Sequence, residues 1–383
     1  MTRKPIYLQR DSAAMPKVDG QSISESYGWA RFPETHERIS YGRFRNVYLY
    51  INEKCQLRCG HCYMGDRLER ALTMPMSEVE KALLFWRRMG GSKLTILGGE
   101  ATLHPHFVDI VRLAKAIGYE KVILTTNGLK SAVRRLEQLS VDNFTYVQVS
   151  LDGGSSNTHD QVRGDGMFDI AWETTKWLAE RGFDTRIICT VNRKNMADCL
   201  SLLPLAQAAG VSLVKYHVFS GIGNGNDKDG IQGEDWLVDP LSWIKFCERL
   251  EEEKSKWSPQ IWYQPTYALR SQLAKYVEQG YQGCIGRTMD RISIFPDGRA
   301  YICSYLFDTK LNYATWKDGE FEINRGPNEV ELFCRTLMQG QCGGCKETAC
   351  MGGCPAETLA LGGPSCGAHE EVVPICRLWK SDI

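Results

Sequence analysis

Apolar runs alternate with amphipathic stretches through the first part of the chain. Six runs predict strands: NVYLYIN (46–52), KLTILGG (93–99), KVILTTNG (121–128), TYVQVSLDG (145–153), DTRIICTVN (184–192) and VSLVKYHVF (211–219). Helical periodicity predicts helices at 77–89 and 106–118, and near 130–138, 169–182 and 196–209. Strands that alternate with helices form a parallel sheet, and continuous Val, Ile and Leu runs indicate burial on both faces. The pattern therefore predicts an α/β fold.

Local signals refine this outline. Ser77 and Glu80 have the spacing of a capping box, and Gly118 is placed to end the second helix. A charged amphipathic stretch predicts a helix at about 239–256, and the Asp-Gly dipeptide within residues 293–303 predicts a hairpin. Residues 221–230 predict a flexible loop or, alternatively, a lid over a site.

Polar and reactive residues follow the predicted strands. In parallel βα folds the chemistry collects at the carboxyl ends of the strands. The residues at these ends are Cys55, Cys59, Cys62, Gly98, Gly99, Glu100, Asn127, Ser150, Asp152 and Asn192. The sequence therefore predicts a site along this edge of the sheet.

Three of these residues form the segment CQLRCGHC (55–62). A structural zinc site needs four ligands, and His61 is wedged between two of the cysteines, so a Cys₃His tetrahedron is awkward. A buried or disulfide-bonded set is another alternative. Thiolates are also the ligands of iron–sulfur clusters, and three thiolates on a four-iron cluster leave one iron open to another ligand. The iron–sulfur interpretation is the preferred one.

Composition limits the possible classes of protein. The chain has 383 residues, of which 43% are hydrophobic, and its 46 basic and 46 acidic side chains cancel. A net charge of zero does not favour binding to nucleic acid or to a membrane surface. No signal-peptide pattern and no run of about 18–20 apolar residues is present, so we expect a cytoplasmic protein of two or three domains. Its 15 cysteines are then expected as metal-bound thiolates rather than disulfides, with Cys189, Cys199 and Cys247 as core residues.

The Cys-x₃-Cys-x₂-Cys segment after the first strand resembles the signature of radical S-adenosylmethionine (SAM) enzymes. Gly98, Gly99 and Glu100 resemble the motif of that family whose backbone and Glu hold the SAM amino group. The resemblance implies a partial (β/α)6 barrel and a [4Fe-4S] cluster whose free iron chelates SAM. It also implies reductive cleavage of SAM to a 5′-deoxyadenosyl radical that abstracts hydrogen from a substrate. Ser150, Asp152, Asn127 and Asn192 match further SAM-binding positions, whereas His61 departs from the usual Tyr or Phe.

A second group of cysteines resembles the SPASM domain, a C-terminal extension that carries two auxiliary four-iron clusters. The resemblance implies that Cys342, Cys345, Cys350 and Cys376 bind the distal cluster and that Cys284, Cys303 and Cys354 bind the cluster nearer to SAM. The run has four residues between Cys345 and Cys350 where five are usual. The nearer cluster then has an open iron, or Cys334 or Cys366 closes it. A zinc ribbon formed by Cys342, Cys345, Cys350 and Cys354 is the main alternative.

The implied domains are an N-terminal extension (1–44), a radical SAM partial barrel (45–235), a helical linker (236–280) and a SPASM domain (281–383). Auxiliary clusters can accept an electron, so the resemblance favours net oxidation of a ribosomally made peptide in natural-product maturation. The alternatives are a dehydrogenase or epimerase of a sugar or cyclitol, and protein modification of the sulfatase-maturase kind. Implied partners are an electron donor such as flavodoxin or ferredoxin and a separate leader-peptide-binding protein.

No catalytic acid or base is assigned from the sequence. Cys334, Cys366 and Asp152 are the catalytic candidates, the two cysteines as hydrogen-atom donors. The candidates for a general base are Asp152, His159, Glu234, Asp235 and Asp308.

Overall fold

The computed structural model describes residues 44–225, 235–278, 286, 289–307, 309–317, 320–324, 328–329, 354, 356 and 371–375. Within these ranges lie all the predicted site residues up to Asn192, together with Cys303 and Cys354. The predicted residues outside the described ranges are Cys284, Cys334, Cys342, Cys345, Cys350, Cys366, Cys376, Glu234 and Asp308.

One sheet organises the described part of the chain. Its strands are β1 Asn46–Tyr50, β2 Lys93–Leu97, β3 Lys121–Thr126, β4 Tyr146–Ser150, β5 Thr185–Val191, β6 Leu213–Val218, β7 Gln260–Tyr263, β9 Arg291–Ile294, β10 Arg299–Tyr301, β11 Ala314–Lys317 and β12 Glu320–Ile323. The strand order is β12-β11-β10-β9-β1-β2-β3-β4-β5-β6-β7. Strands β1 to β7 and β9 pair in parallel, and β9 to β12 form antiparallel pairs. Strand β8 (Tyr267–Leu269) pairs separately with β13 (Val372–Pro374).

Helices connect the parallel strands. They are α1 Arg67–Arg70, α2 Met76–Arg88, α3 Phe107–Ile117, α4 Lys130–Leu136, α5 Ser156–Arg163, α6 Met167–Glu180, α7 Leu202–Ala208, α8 Pro240–Glu253 and α9 Leu273–Glu278. Short 3₁₀ turns lie at Ala101–Leu103, Val141–Asn143, Cys199–Ser201, Gly223–Gly225, Arg270–Gln272 and Ser304–Leu306. Each helix of the described residues is too short or too polar to cross a membrane.

The predicted α/β architecture is confirmed. All six predicted strands are present, and each ends one to three residues before its predicted end, where the polar site residues begin. Gly118 ends α3 with a φ of 95°, a conformation that glycine adopts without a steric cost. The strand order fits the partial barrel, whose curvature and domain boundaries stay predictions.

Three predictions from the sequence need correction. The capping box is wrong, because Pro75 precedes the helix and Ser77 lies inside its first turn without a side-chain cap bond. The helix predicted at 196–209 is a 3₁₀ turn followed by the shorter α7. Strands β5 and β6 are buried on one face only, since their other face keeps some contact with solvent.

The predicted hairpin is also present, and it extends the same sheet. Strand β9 pairs in parallel with β1, so the hairpin lies beside the segment that leads into the cysteine loop. Its turn contains Gly298 with a φ of 80°. Phe295, the residue after β9, stacks on Tyr50 at the end of β1 with 4.1 Å between ring centroids. The hairpin therefore packs against the strand end that carries the three cysteines.

An ion-pair network fixes the hairpin to the cysteine loop. Arg67 Nε donates to buried Glu53 at 2.9 Å, and Arg67 Nη2 donates to Asp297 in the hairpin turn at 2.7 Å. The Arg67 guanidinium also lies over the Phe295 ring at 4.6 Å. Arg70 contacts the same two carboxylates, at 3.3 and 3.0 Å, but its side chain is 39% exposed where that of Arg67 is 2% exposed.

Replacement of Arg67 should therefore destabilise the protein far more than replacement of Arg70. Arg67→Met leaves the buried Glu53 carboxylate with only the partner at the surface, and we expect a loss of about 3 kcal/mol. Arg70→Met removes a solvent-screened pair and should cost about 1 kcal/mol or less. The measurement is the midpoint of guanidinium unfolding, followed by tryptophan fluorescence. Equal losses in the two variants would contradict the proposed role of the buried network.

Candidate active site

The cysteine loop begins as an extension of the sheet. After β1 ends, residues 52–54 run alongside residues 98–100, which follow β2. Gly99 N donates to Asn52 O at 3.0 Å, and Glu100 N donates to Lys54 O at 2.7 Å. The Asn52 side-chain amide donates to Glu100 O at 3.1 Å. These bonds carry the register of β1 and β2 up to the residue before Cys55.

The two glycines are required by this close approach. A Cβ atom at Gly98 would lie 2.8 Å from Asn52 O, and one at Gly99 would lie 2.5 Å from Lys54 O. The resemblance to the family motif implies that the backbone at these positions contacts SAM. The structure shows a second reason for glycine. Without a Cβ atom at positions 98 and 99, the backbone of residues 52–54 can pass close by on its way into the cysteine loop.

Glu100 joins the ends of β2 and β3. Its carboxylate is buried, and Oε1 accepts bonds from Thr102 N, Thr102 Oγ1 and Thr126 Oγ1 at 3.1, 2.6 and 2.9 Å. Oε2 accepts a bond from Asn127 N at 2.8 Å. Burial raises the pKa of Glu100, and these four bonds oppose that rise. The carboxylate thus fixes the edge of the sheet, and the contact with the SAM amino group stays a prediction.

The three cysteines share one small apolar cluster. Cys59 is buried against Leu57 and Leu129, and Cys55 and Cys62 pack on the same cluster. Burial raises the pKa of Cys55 to about 12 and that of Cys59 to about 11, and it also raises the pKa of Cys62. Buried thiols of this kind ionise readily only when a metal takes the charge.

The donor set of the loop is three cysteine thiols, the ligand type of iron–sulfur clusters. N–H donors face the Cys55 sulfur, since Leu57 N lies 3.4 Å from Cys55 Sγ and Asn127 Nδ2 lies 3.9 Å from it. Such donors stabilise the negative charge of cluster thiolates.

A buried charged triad stands beside Cys59. Asp152 Oδ2 lies 2.7 Å from His61 Nε2 and accepts a bond from Arg163 Nε at 2.6 Å. Its Oδ1 accepts a bond from Thr190 N at 2.8 Å. Arg163 Nη1 reaches Cys59 Sγ at 3.9 Å. The triad therefore links the ends of β4 and β5 to the cysteine loop.

This geometry assigns Asp152 a positioning role. Burial alone would raise its pKa, but the Arg163 guanidinium and His61 hold the pKa of Asp152 well below its usual range. A carboxylate stabilised as an anion is a weak proton acceptor, so its candidacy as a base is disfavoured. His159 is equally constrained, because its Nδ1 accepts a bond from Asp152 N at 3.1 Å. Burial lowers the pKa of His159 to about 4.

The remaining predicted residues lie at the same edge of the sheet, where each makes different hydrogen bonds. The side-chain oxygen Oδ1 of Asn127 accepts a bond from Leu129 N at 3.1 Å. Oδ1 of Asn192 accepts bonds from the backbone N–H groups of the following turn. Asn195 donates from its amide to Asp152 O at 2.9 Å. Ser150 ends β4 and is largely buried. In the described region Asn192 is thus a turn former, and Asn195 makes the bond to Asp152.

Two residues of functional interest are missed by the sequence reasoning. Arg163 belongs to α5, which the apolar periodicity does not reveal because only His159 and Val162 of its residues are buried. The sequence signal that could have revealed Arg163 is its position shortly after the polar residues that follow β4. Glu329 is buried and accepts a bond from the backbone N of Cys303 at 3.0 Å, and burial raises its pKa to about 8.

Residues 49–203 match the sequence model of the Radical SAM superfamily. The chain contains a radical SAM domain. That domain includes the three-cysteine loop, the Gly-Gly-Glu segment and the Asp152–His61–Arg163 triad.

Relatives with different activities resemble the chain along most of its length. The mycofactocin maturase MftC of Mycobacterium tuberculosis is 28% identical over 340 residues, which cover 83% of this chain and 80% of MftC. The probable GTP 3′,8-cyclase of Saccharolobus solfataricus is 24% identical over 309 residues, covering 78% and 94%. The crystal structure of Streptococcus suis SuiB bound to precursor peptide SuiA has a TM-score of 0.63 at 16% identity, covering 84% of this chain and 74% of SuiB. The last similarity shows a shared fold.

A methyl group at position 99 should disturb the cysteine loop. The Cβ of Gly99→Ala would clash with Lys54 O and Glu53 O, at 2.5 and 2.7 Å, so the loop must shift. We expect SAM to bind to the reconstituted protein at least about tenfold more weakly, as measured by isothermal titration calorimetry.

The matched control is Gly182→Ala. Gly182 has a φ of 84° and open space around its Cα, so alanine strains the backbone without meeting another atom. It should cost roughly 1 kcal/mol of stability and leave SAM binding unchanged. If Gly99→Ala binds SAM as tightly as Gly182→Ala does, the close approach does not matter for the site.

Proposed function

We propose that the protein is a radical SAM oxidoreductase that oxidises a ribosomally made peptide and passes an electron to auxiliary [4Fe-4S] clusters. The observation that carries this proposal is that residues following three strands converge on the three-thiol loop, which itself follows β1. The residues after β2 fix the loop backbone, Asn127 after β3 approaches Cys55, and the Asp152 triad after β4 approaches Cys59.

In this proposal Cys55, Cys59 and Cys62 hold a [4Fe-4S] cluster that, with bound SAM, supplies the hydrogen-abstracting radical chemistry. The protein's own residues position and shield it. Leu57 and Leu129 cover the thiol side of the loop from water. Arg163 and the N–H donors to Cys55 balance thiolate charge. The backbone of residues 98–100, with Ser150 and Asn127, would hold and orient SAM, as the family motif implies.

The proposal places two auxiliary clusters in the C-terminal region. Cys303 and Cys354 are the described members of the implied ligand sets, and both are buried. Glu329 accepts bonds from the backbone N–H groups of Ile302 and Cys303, which holds the ligand segment in place after β10. Strands β9 and β10 continue the sheet that carries the cysteine loop, so the hairpin that leads to Cys303 lies beside β1, the strand that leads into the loop.

A peptide substrate is supported by two relatives. MftC is named as a maturase, and SuiB was crystallised with its precursor peptide. A small-molecule substrate is the second candidate, because the similarity to the probable GTP 3′,8-cyclase covers 78% of this chain and 94% of the cyclase. One face of β5 and β6 is partly exposed, and in this proposal it contacts the substrate of either class.

The proposal is tested by replacing the loop cysteines together. Anaerobically reconstituted protein with SAM and dithionite should form 5′-deoxyadenosine, and it should hold about twelve iron atoms as three thiolate-bound cubes. The triple variant Cys55→Ala, Cys59→Ala, Cys62→Ala should form none and keep about eight iron atoms. Product is measured by liquid chromatography and iron by colorimetric assay.

Cys247→Ala is the control, since it removes a buried thiol of α8 that lies outside the loop. It should retain both product and iron. Formation of 5′-deoxyadenosine by the triple variant would refute the assignment of the loop. A wild-type iron content of about four would refute the auxiliary clusters alone.

A further inference from the structure

Strands β5 and β6 have one partly exposed face, here called the inner face, whose side chains the proposed SAM site does not use. Along β5, buried residues alternate with partly exposed ones, which are Arg186, Ile188 and Thr190. Strand β6 continues the pattern, with Lys215 and His217 partly exposed between buried neighbours. Because successive strand residues point to opposite faces, the partly exposed residues share the face opposite to the buried core.

The register places Lys215 in one row with a predicted SAM-binding residue. Ser150 pairs with Ile188, Ile188 pairs with Lys215, and Lys215 pairs with Trp262. Neighbouring strands lie about 4.8 Å apart, so the backbone of Lys215 lies roughly 10 Å from that of Ser150. This distance suits a substrate that occupies the row between Lys215 and SAM.

Lys215 has no counter-charge within the described part of the chain. Its Nζ makes no hydrogen bond or ion pair there and lies over the Trp262 ring at 4.3 Å. The charges that act on it are those of Lys93, Arg291 and Arg186, all of the same sign. Arg186 is already paired with Asp184 at 2.8 Å. Burial and these cations lower the pKa of Lys215 to about 7.

A partly desolvated ammonium without a counter-anion is unfavourable, and a bound anion reduces that penalty. We propose that Lys215 and Trp262 form the part of the substrate site that receives a carboxylate, with the ammonium pairing the charge and the indole face packing against the adjoining apolar part. A carboxylate carries the single negative charge that one ammonium balances. This inference rests on the proposed function, and it narrows the substrate to a peptide with an acidic side chain or a free C-terminus near the reacting residue.

The test uses small probes and trace acetylation in the reconstituted protein with SAM and without reductant. The probes are acetyl-Gly-Glu-Gly-amide, acetyl-Gly-Gly-Gly with a free carboxylate, the neutral acetyl-Gly-Gln-Gly-amide, and inorganic phosphate. Mass spectrometry reads the acetylation of Lys215, with Lys176 as the internal control, because that residue lies on the outer helix α6 and pairs with Glu173. At least one carboxylate probe should slow acetylation of Lys215 several-fold, and neither should affect Lys176.

The two carboxylate probes separate a side-chain carboxylate from a C-terminal one. Equal protection by the neutral amide, protection by phosphate alone, or no protection would overturn the proposal. A Lys215 that is never acetylated would also overturn it, because the inner face would then be closed.

Variants provide a second measurement. Saturation-transfer NMR on the protecting probe should show at least about tenfold weaker binding to Lys215→Met, because a charge-assisted bond is lost, and near wild-type binding to Lys215→Arg and Lys176→Met. Iron content confirms that each variant is folded. Unchanged probe binding by Lys215→Met would contradict the assignment.

Neither measurement requires SAM cleavage. A protein that forms 5′-deoxyadenosine but shows no protection refutes only the carboxylate site. A protein that shows protection but forms no 5′-deoxyadenosine refutes only the proposed function.

Discussion

The short backbone ladder between residues 52–54 and residues 98–100 is the constraint on which the site depends. It transfers the register of two buried parallel strands to a loop that has no regular structure of its own. Only glycine at positions 98 and 99 allows the two backbones to approach this closely. The Glu100 carboxylate then extends the same constraint to β3 through Thr126 and Asn127. The irregular segment with the three cysteines therefore begins from a backbone that two strands hold in place.

Charge is arranged on both sides of this loop. On one side, Asp152 binds His61 and holds Arg163 against Cys59. On the other side, Arg67 binds the loop residue Glu53 and the hairpin residue Asp297 at once. Both arginines are buried with their carboxylates, so each network is costly to break and fixes one geometry. The cysteine loop is therefore positioned by the parallel strands of the sheet and by the β9–β10 hairpin together.

The sequence alone predicts much of this edge, because apolar runs show where strands lie and polar residues show where they end. Cys55, Glu100, Asn127 and Asp152 are found this way. Bonds between distant segments are not predictable from such patterns. The pairing of Arg163 with Asp152 depends on how α5 packs. Because α5 has only two buried residues, its sequence lacks the apolar periodicity that predicts a helix.

The residue-by-residue pairing between neighbouring strands cannot be predicted from the sequence for the same reason. The apolar run of β6 contains Lys215, but only the pairing of four strands shows that it shares a row with Ser150 and Trp262. Strands β7 and β9 are four residues long, too short for their periodicity to predict parallel pairing. Ser77 and Glu80 have the capping-box spacing, but Pro75 already fixes the backbone at the start of the helix. Local sequence signals therefore predict where helices and strands lie. Tertiary packing determines which of them pair and where each one ends.

The central claim is that the cysteine loop holds a cluster with one iron free for SAM. Electron–nuclear double resonance on the reduced cluster, with SAM labelled by ¹⁵N at the amino group and ¹⁷O at the carboxylate, tests this claim most directly. The account predicts hyperfine coupling from both labels, which disappears when unlabelled SAM is used. Tight binding of labelled SAM without coupling to the cluster would contradict it.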